Sequence, residues 1–105
     1  MQDYTLIRQG LPPLKFTGNE LGQGNISGLT VTIFRTKAGR YVAQIERRHR
    51  EDIVYRNAAH YAAPSEIINW LKEDAETLGK ASQDAIEKAC SNDGAFAAAW
   101  VEVIE

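Results

Sequence analysis

The sequence predicts an α+β fold, with an antiparallel β-meander of three to four strands followed by two to three helices packed on one face. Three observations carry that expectation. Apolar residues recur with period two up to His60, then with the 3.6-residue period of a helix from Pro64 onward. Between them, Leu29 to Arg48 has the composition of a β-hairpin. With 105 residues, 44% of them hydrophobic and 25% charged, residues 1–105 suit one domain around a single core.

The elements follow in order. Residues 4–8 alternate weakly and read as a short edge strand, broken by Gly10-Leu11-Pro12-Pro13 because neither proline can donate to a ladder. Residues 14–21 place Leu14 and Phe16 at period two, with Lys15 and Thr17 opposite. Gly22, Gly24 and Gly28, with Asn25 and Ser27, read as a loosened connection. The hairpin then pairs 29–36 with 40–48 across Lys37-Ala38-Gly39, where glycine suits the positive φ of a type I turn with a G1 bulge. That turn sets Phe34 opposite Val42, Ile33 opposite Ala43 and Val31 opposite Ile45. A polar turn at 49–52 leads to a third meander strand at 53–60.

Pro64 and Glu66 open a helix over 64–78, with Ile67, Ile68, Trp70, Leu71 and Leu78 on its apolar side and Gly79 as its stop. Lys72, Glu73, Asp74 and Glu76 take its opposite face. A second helix, 82–90, is expected to be capped by Ser82 or Asp84 and to present Ala85, Ile86 and Ala89. A third, 95–103, aligns Phe96, Trp100 and Val103. Val31, Ile33, Ala43 and Ile45 share the sheet face expected beneath the helices. Thr30, Thr32, Gln44 and Glu46 share the other, expected to be solvated or bound to a partner.

Phe16-Thr17-Gly18 before the hairpin, then Phe34-Arg35-Thr36-Lys37-Ala38-Gly39-Arg40-Tyr41-Val42 within it, resembles the hairpin signature of the small bacterial EXLDI proteins. That family is named for a C-terminal Glu-x-Leu-Asp-Ile. Here Glu102-Val103-Ile104-Glu105 closes the chain, with Ile104 for leucine, Glu105 for aspartate and no final isoleucine. The likeness runs through residues 16 to 105. It implies a small cytoplasmic bacterial protein and brings no activity with it.

Candidate chemistry is sparse. The Gly22–Ser27 stretch lacks the following helix that a dinucleotide fingerprint needs, and Gly79-Lys80-Ala81-Ser82 lacks the spacing of a phosphate loop. His49, His60 and Cys90 have no metal-ligand spacing. Cys90, among Ala85, Ile86 and Ala89, reads as a small packed hydrophobe, and Trp70 and Trp100 read as core. No catalytic residue, cofactor or metal is expected, and the protein is not read as an enzyme.

Charge is unevenly spread. The net −2 hides seven bases against three acids in residues 30–56, and three bases against nine acids in 57–105. Arg47, Arg48 and Arg50 crowd one end of the hairpin; Arg35, Lys37 and Arg40 crowd the other. These six are the candidate contacts for an anion or nucleic acid, though a sequence pI near 5.7 argues against a dedicated nucleic-acid binder and pairing with the acidic helices would also account for them. Phe34, Val42 and Tyr41 are the candidate interface with a protein partner or a second copy. The expectation is a non-enzymatic protein-interaction or self-associating module, with a nucleic-acid-binding regulator as the alternative. The N-terminal run has no secretory pattern, no stretch is long enough to cross a bilayer, and the lone Cys90 fits a reducing compartment, so a cytoplasmic location without membrane contact is expected.

Overall fold

In a computed structural model that describes residues 1–73 and 78–101, five strands pair in sequence order into one antiparallel sheet: β1 (Gln2–Arg8), β2 (Leu11–Ile26), β3 (Leu29–Thr36), β4 (Tyr41–His49) and β5 (Asp52–Tyr61). Three helices follow, α1 (Pro64–Lys72), α2 (Lys80–Asn92) and α3 (Gly94–Ala99). The α+β class and the strands-then-helices order are as expected; the sheet has five strands rather than three to four. The β3–β4 register is also as expected, with Phe34 opposite Val42, Ile33 opposite Ala43 and Val31 opposite Ile45. Gly39 closes that turn at φ +86°, and its N–H donates to the Thr36 carbonyl at 2.9 Å.

The largest departure is β2. The glycine stretch is not a connection but the second half of a sixteen-residue strand, which takes in Pro12 and Pro13 at its start. The prolines sit beside a register shift between Leu6 and Arg8 of β1, where ladder bonds are already interrupted. β2 pairs with β1 over residues 11–18 and with β3 over residues 18–26, and a bulge at Leu21 interrupts the second of these ladders. Ser27 (φ 51°) and Gly28 (φ +82°) then form a two-residue hairpin turn in which both residues take positive φ.

Gly22 and Gly24 lie directly beneath α2. A Cβ on Gly24 would fall 2.0 Å from the Ala81 carbonyl oxygen, and one on Gly22 would fall 2.4 Å from that of Ala85. Helix and strand therefore meet backbone to backbone, an approach that only glycine permits. From that position α2 also covers the unpaired edge of β2: Lys88 Nζ donates to the Gln23 carbonyl at 2.9 Å and Asn92 Nδ2 to the Leu21 carbonyl at 2.8 Å.

The helix-facing core is built from Val31, Ile33 and Ala43 of the sheet with Ile67, Ile86 and Phe96 of the three helices. Helix ends differ from expectation. Gly79 is the N-cap of α2 rather than a helix stop, and Ser82 lies buried inside α2 rather than capping it. Trp70 packs against the core, whereas Trp100 is 39% exposed instead of buried. The helix expected over 64–78 ends at Lys72, with Leu78 outside any helix and 74–77 outside the described residues; the one expected over 95–103 ends at Ala99, where Trp100 is the C-cap, and 102–105 lie outside the described residues.

The other sheet face is not a flat solvated surface. The sheet curls until β1 approaches β5, where the Gln9 N–H donates to Asn57 Oδ1 at 3.1 Å and Gln9 Nε2 to the Arg56 carbonyl at 2.7 Å. The concave side holds a second core of Leu6, Phe34, Val42 and Ala58, flanked by Tyr4, Leu14 and Phe16. Tyr4, Phe16 and Phe34 form a mutually packed trio with centroids 4.7–5.3 Å apart. No helix among the described residues is long and apolar enough to cross a membrane.

Candidate functional site

The curl changes where the candidate residues stand. Phe34, Val42 and Tyr41, expected as an interface, are 3%, 1% and 2% exposed within this one chain. The first two fill the concave core and Tyr41 faces the helices, so none of the three offers a surface to a partner. Alternation along β3 and β4 assigns the faces correctly; it carries no sign that the concave face closes over Phe34 and Val42.

The six candidate cations divide three ways. Arg35 projects from the helix-facing side, where Nη1 pairs with Asp93 Oδ2 at 3.2 Å and the guanidinium lies over the Tyr41 ring, 5.4 Å from its centroid. Asp93 is the N-cap of α3. Its side chain, 2% exposed, accepts from the Ala95 N–H at 2.9 Å, from the Phe96 N–H at 3.3 Å and from the Tyr41 hydroxyl at 3.2 Å. This one carboxylate ties the short α3 to β3 and β4. Capping, ion pair and buried hydroxyl all converge on it, and a structural anchor accounts for the whole arrangement.

Burial, and after it the Asp93 carboxylate, hold the Tyr41 hydroxyl above the ordinary phenol range. An unfolded phenol ionises near pH 10, so above that pH the unfolded chain releases a proton that the folded chain retains. The stabilisation is therefore complete below about pH 10 and is lost as pH rises through the raised folded value. Alkaline denaturation followed by circular dichroism should steepen above about pH 10, and Tyr41→Phe should flatten that limb. An identical limb in the variant would contradict the assignment.

At the far end of the hairpin, Arg48 Nε and Arg56 Nε both bond Glu46, at 3.0 and 3.2 Å, so one carboxylate occupies two of the cations there. Arg47 and Arg50 are exposed and without an ion pair among the described residues.

Lys37 and Arg40 stand at the opposite end, where β2 overhangs the β3–β4 turn. Together with Lys15 and His60 they wall a hollow of about 330 Å³ with Leu14, Phe16 and Val42 among its apolar lining. The position of Arg40 is set twice: its N–H donates to Thr36 Oγ1 at 3.0 Å, and its Nη2 donates to His60 Nδ1 at 3.1 Å. Because a guanidinium has no acceptor, that bond places the His60 lone pair on Nδ1. Among the described residues, no Asp or Glu lines this hollow. Neither Lys15 nor His60 is recognisable as a contact from sequence. Strand alternation puts Lys15 on the face opposite Leu14 and Phe16, and only the overhang of β2 past the turn brings it to the rim.

Other pairings suggested by residue type do not form. Cys90 packs against the helix-side core while His60 opens on the concave side, and burial pushes the Cys90 thiol up. Among the described residues, no three His, Cys, Asp or Glu side chains gather where they could hold a metal ion. Comparison with protein-family models, with curated proteins and with solved structures returns no match to this chain.

Proposed function

We propose that the protein is a non-enzymatic protein-interaction module that engages an acidic partner at the cationic hollow beside the β3–β4 turn. The observation that carries this reading is the wall itself: Lys15, Lys37, Arg40 and His60 surround an apolar floor with no carboxylate among the described lining residues. His60 directs Nδ1 at a guanidinium rather than into the hollow's open space, which supports a binding rather than a catalytic role.

A nucleic-acid-binding regulator using Arg47, Arg48 and Arg50 finds some support in the exposure of Arg47 and Arg50. Against it, Glu46 holds Arg48. The two basic ends of the hairpin are also separated by the length of β3, about 24 Å at strand rise, rather than joined along one groove. A homodimer would have to use a surface other than Phe34, Val42 and Tyr41, and a solution mass near the 11.7 kDa of one chain would exclude it.

Fluorescence anisotropy separates these readings. A labelled glutamate-rich peptide is expected to bind, to weaken with added salt, and to lose at least about tenfold in affinity in the Lys37→Ala/Arg40→Ala double variant, the loss of two charge-assisted contacts. Binding instead to mixed single- and double-stranded DNA or RNA, abolished by Arg47→Ala/Arg50→Ala, would overturn the proposal in favour of the regulator.

A further inference from the structure

We infer that the hollow recognises a carboxylate carried next to an apolar side chain, within an exposed peptide segment of a protein partner. The inference rests on the reading of the hollow as a binding site and names what that site selects. Its floor, with Leu14, Phe16 and Val42, gains nothing from a bare anion; it is desolvated favourably only by an apolar group. Its charged groups stand at the rim, where they meet the polar part of a ligand whose apolar part has entered. The hollow lies at the lower end of the size range of ligand sites, room for a short peptide stretch rather than an extended polymer.

Arg40 supplies the geometric preference. A bond to Thr36 ties its backbone and one to His60 engages one end of its fork, which leaves guanidinium donors whose planar spacing matches the two oxygens of a carboxylate. Lys37, at the exposed tip of the turn, adds a mobile point charge that widens the approach without fixing orientation. A nucleic-acid backbone would need cations repeated along its path. Here the next basic cluster lies at the other end of the sheet.

The experiment is a random peptide display library selected in parallel on the wild-type protein and on the Lys37→Ala/Arg40→Ala double variant, with matched thermal melts showing both are folded. The expected result is enrichment, on wild type, of peptides bearing Asp or Glu within one or two positions of Leu, Ile, Val or Phe, with at least tenfold lower recovery on the variant. Replacing the acid of a selected peptide by its amide, or its apolar residue by serine, should each weaken binding about tenfold in anisotropy. Selected peptides that lack the acid, that bind equally when the apolar residue is serine, or that recover equally on both proteins would overturn the inference. The last of these would leave a protein-interaction module acting through another surface. No enrichment on either protein would overturn both the inference and the reading beneath it.

Discussion

Gly24→Ala is expected to destabilise the protein by about 3 kcal/mol, the upper end of the cost of overpacking a close contact. The added methyl would fall 2.0 Å from the Ala81 carbonyl oxygen and 2.9 Å from its carbon, and both are helix backbone. A clash with a flexible side chain relaxes by a rotamer change; this one can relax only by lifting α2. Lifting α2 also draws Lys88 and Asn92 away from the carbonyls of Gln23 and Leu21, so the loss spreads along the edge of β2. In urea, with a slope of about 1.5 kcal/mol per molar, the midpoint should fall by about 2 M. Gly94→Ala is the control, because nothing lies within 4 Å of a Cβ built there. A midpoint for Gly24→Ala within about 0.5 M of that control would show that α2 does not rest backbone to backbone on β2.

The second large effect is expected at Asp93. Asp93→Ala removes the cap of α3, worth about 1 kcal/mol. It also strands a buried Tyr41 hydroxyl, at a cost of about 1–3 kcal/mol. The pair with half-exposed Arg35 adds little, since solvent screens it. A total near 3 kcal/mol corresponds to a fall in melting temperature of about 12–24 °C for a domain of this size. Asp93→Asn keeps an acceptor for the helix N–H groups and for the hydroxyl but drops the charge, so it should lose less than half as much. If the alanine and asparagine variants melt together, the charge rather than the cap holds the helix, and the ion pair with Arg35 outweighs the neutral hydrogen bonds.

Both sites mark the limit of what local pattern reveals. β3 and its partner β4 are legible because everything that defines them lies within about twenty residues: alternating β-branched residues, a three-residue turn, and glycine at the left-handed position. The helix-facing row of Val31, Ile33 and Ala43 is legible for the same reason. Gly22 and Gly24 read as loop residues because the backbone that requires them to be glycine belongs to α2, some sixty positions later. Asp93, in Asn92-Asp93-Gly94 between two helical runs, shows in sequence at most a local cap. An aspartate preceding Ala95 and Phe96 is a recognisable cap, but its bonds to Arg35 and Tyr41 depend on how the sheet and helices pack.

The candidate site is legible in part. The hairpin turn places Lys37 and Arg40 together, and the structure adds Lys15 and His60 to them. Arg35, two residues before Lys37, belongs to the same cluster in sequence, yet it points to the other face and is engaged by Asp93. The concave core escapes the sequence because curling is a property of the whole sheet. Tyr4, Phe16 and Phe34 come from three strands, and their packing removes from solvent the face that carries Phe34 and Val42.

The dependence of β2 on α2 has a consequence for how the chain is made. All five strands precede α2 in sequence, so during translation the sheet emerges first. At about 5–20 residues per second, the thirty or so residues from the end of β5 to the end of α2 take about 2–6 s to be added. A sheet formed before α2 docks would show a bare row of Val31, Ile33 and Ala43, with the Leu21 and Gln23 carbonyls open at its edge. Those are the features by which one nascent chain pairs with another. A chain whose sheet has formed before α2 docks is therefore more open to edge pairing than the finished protein.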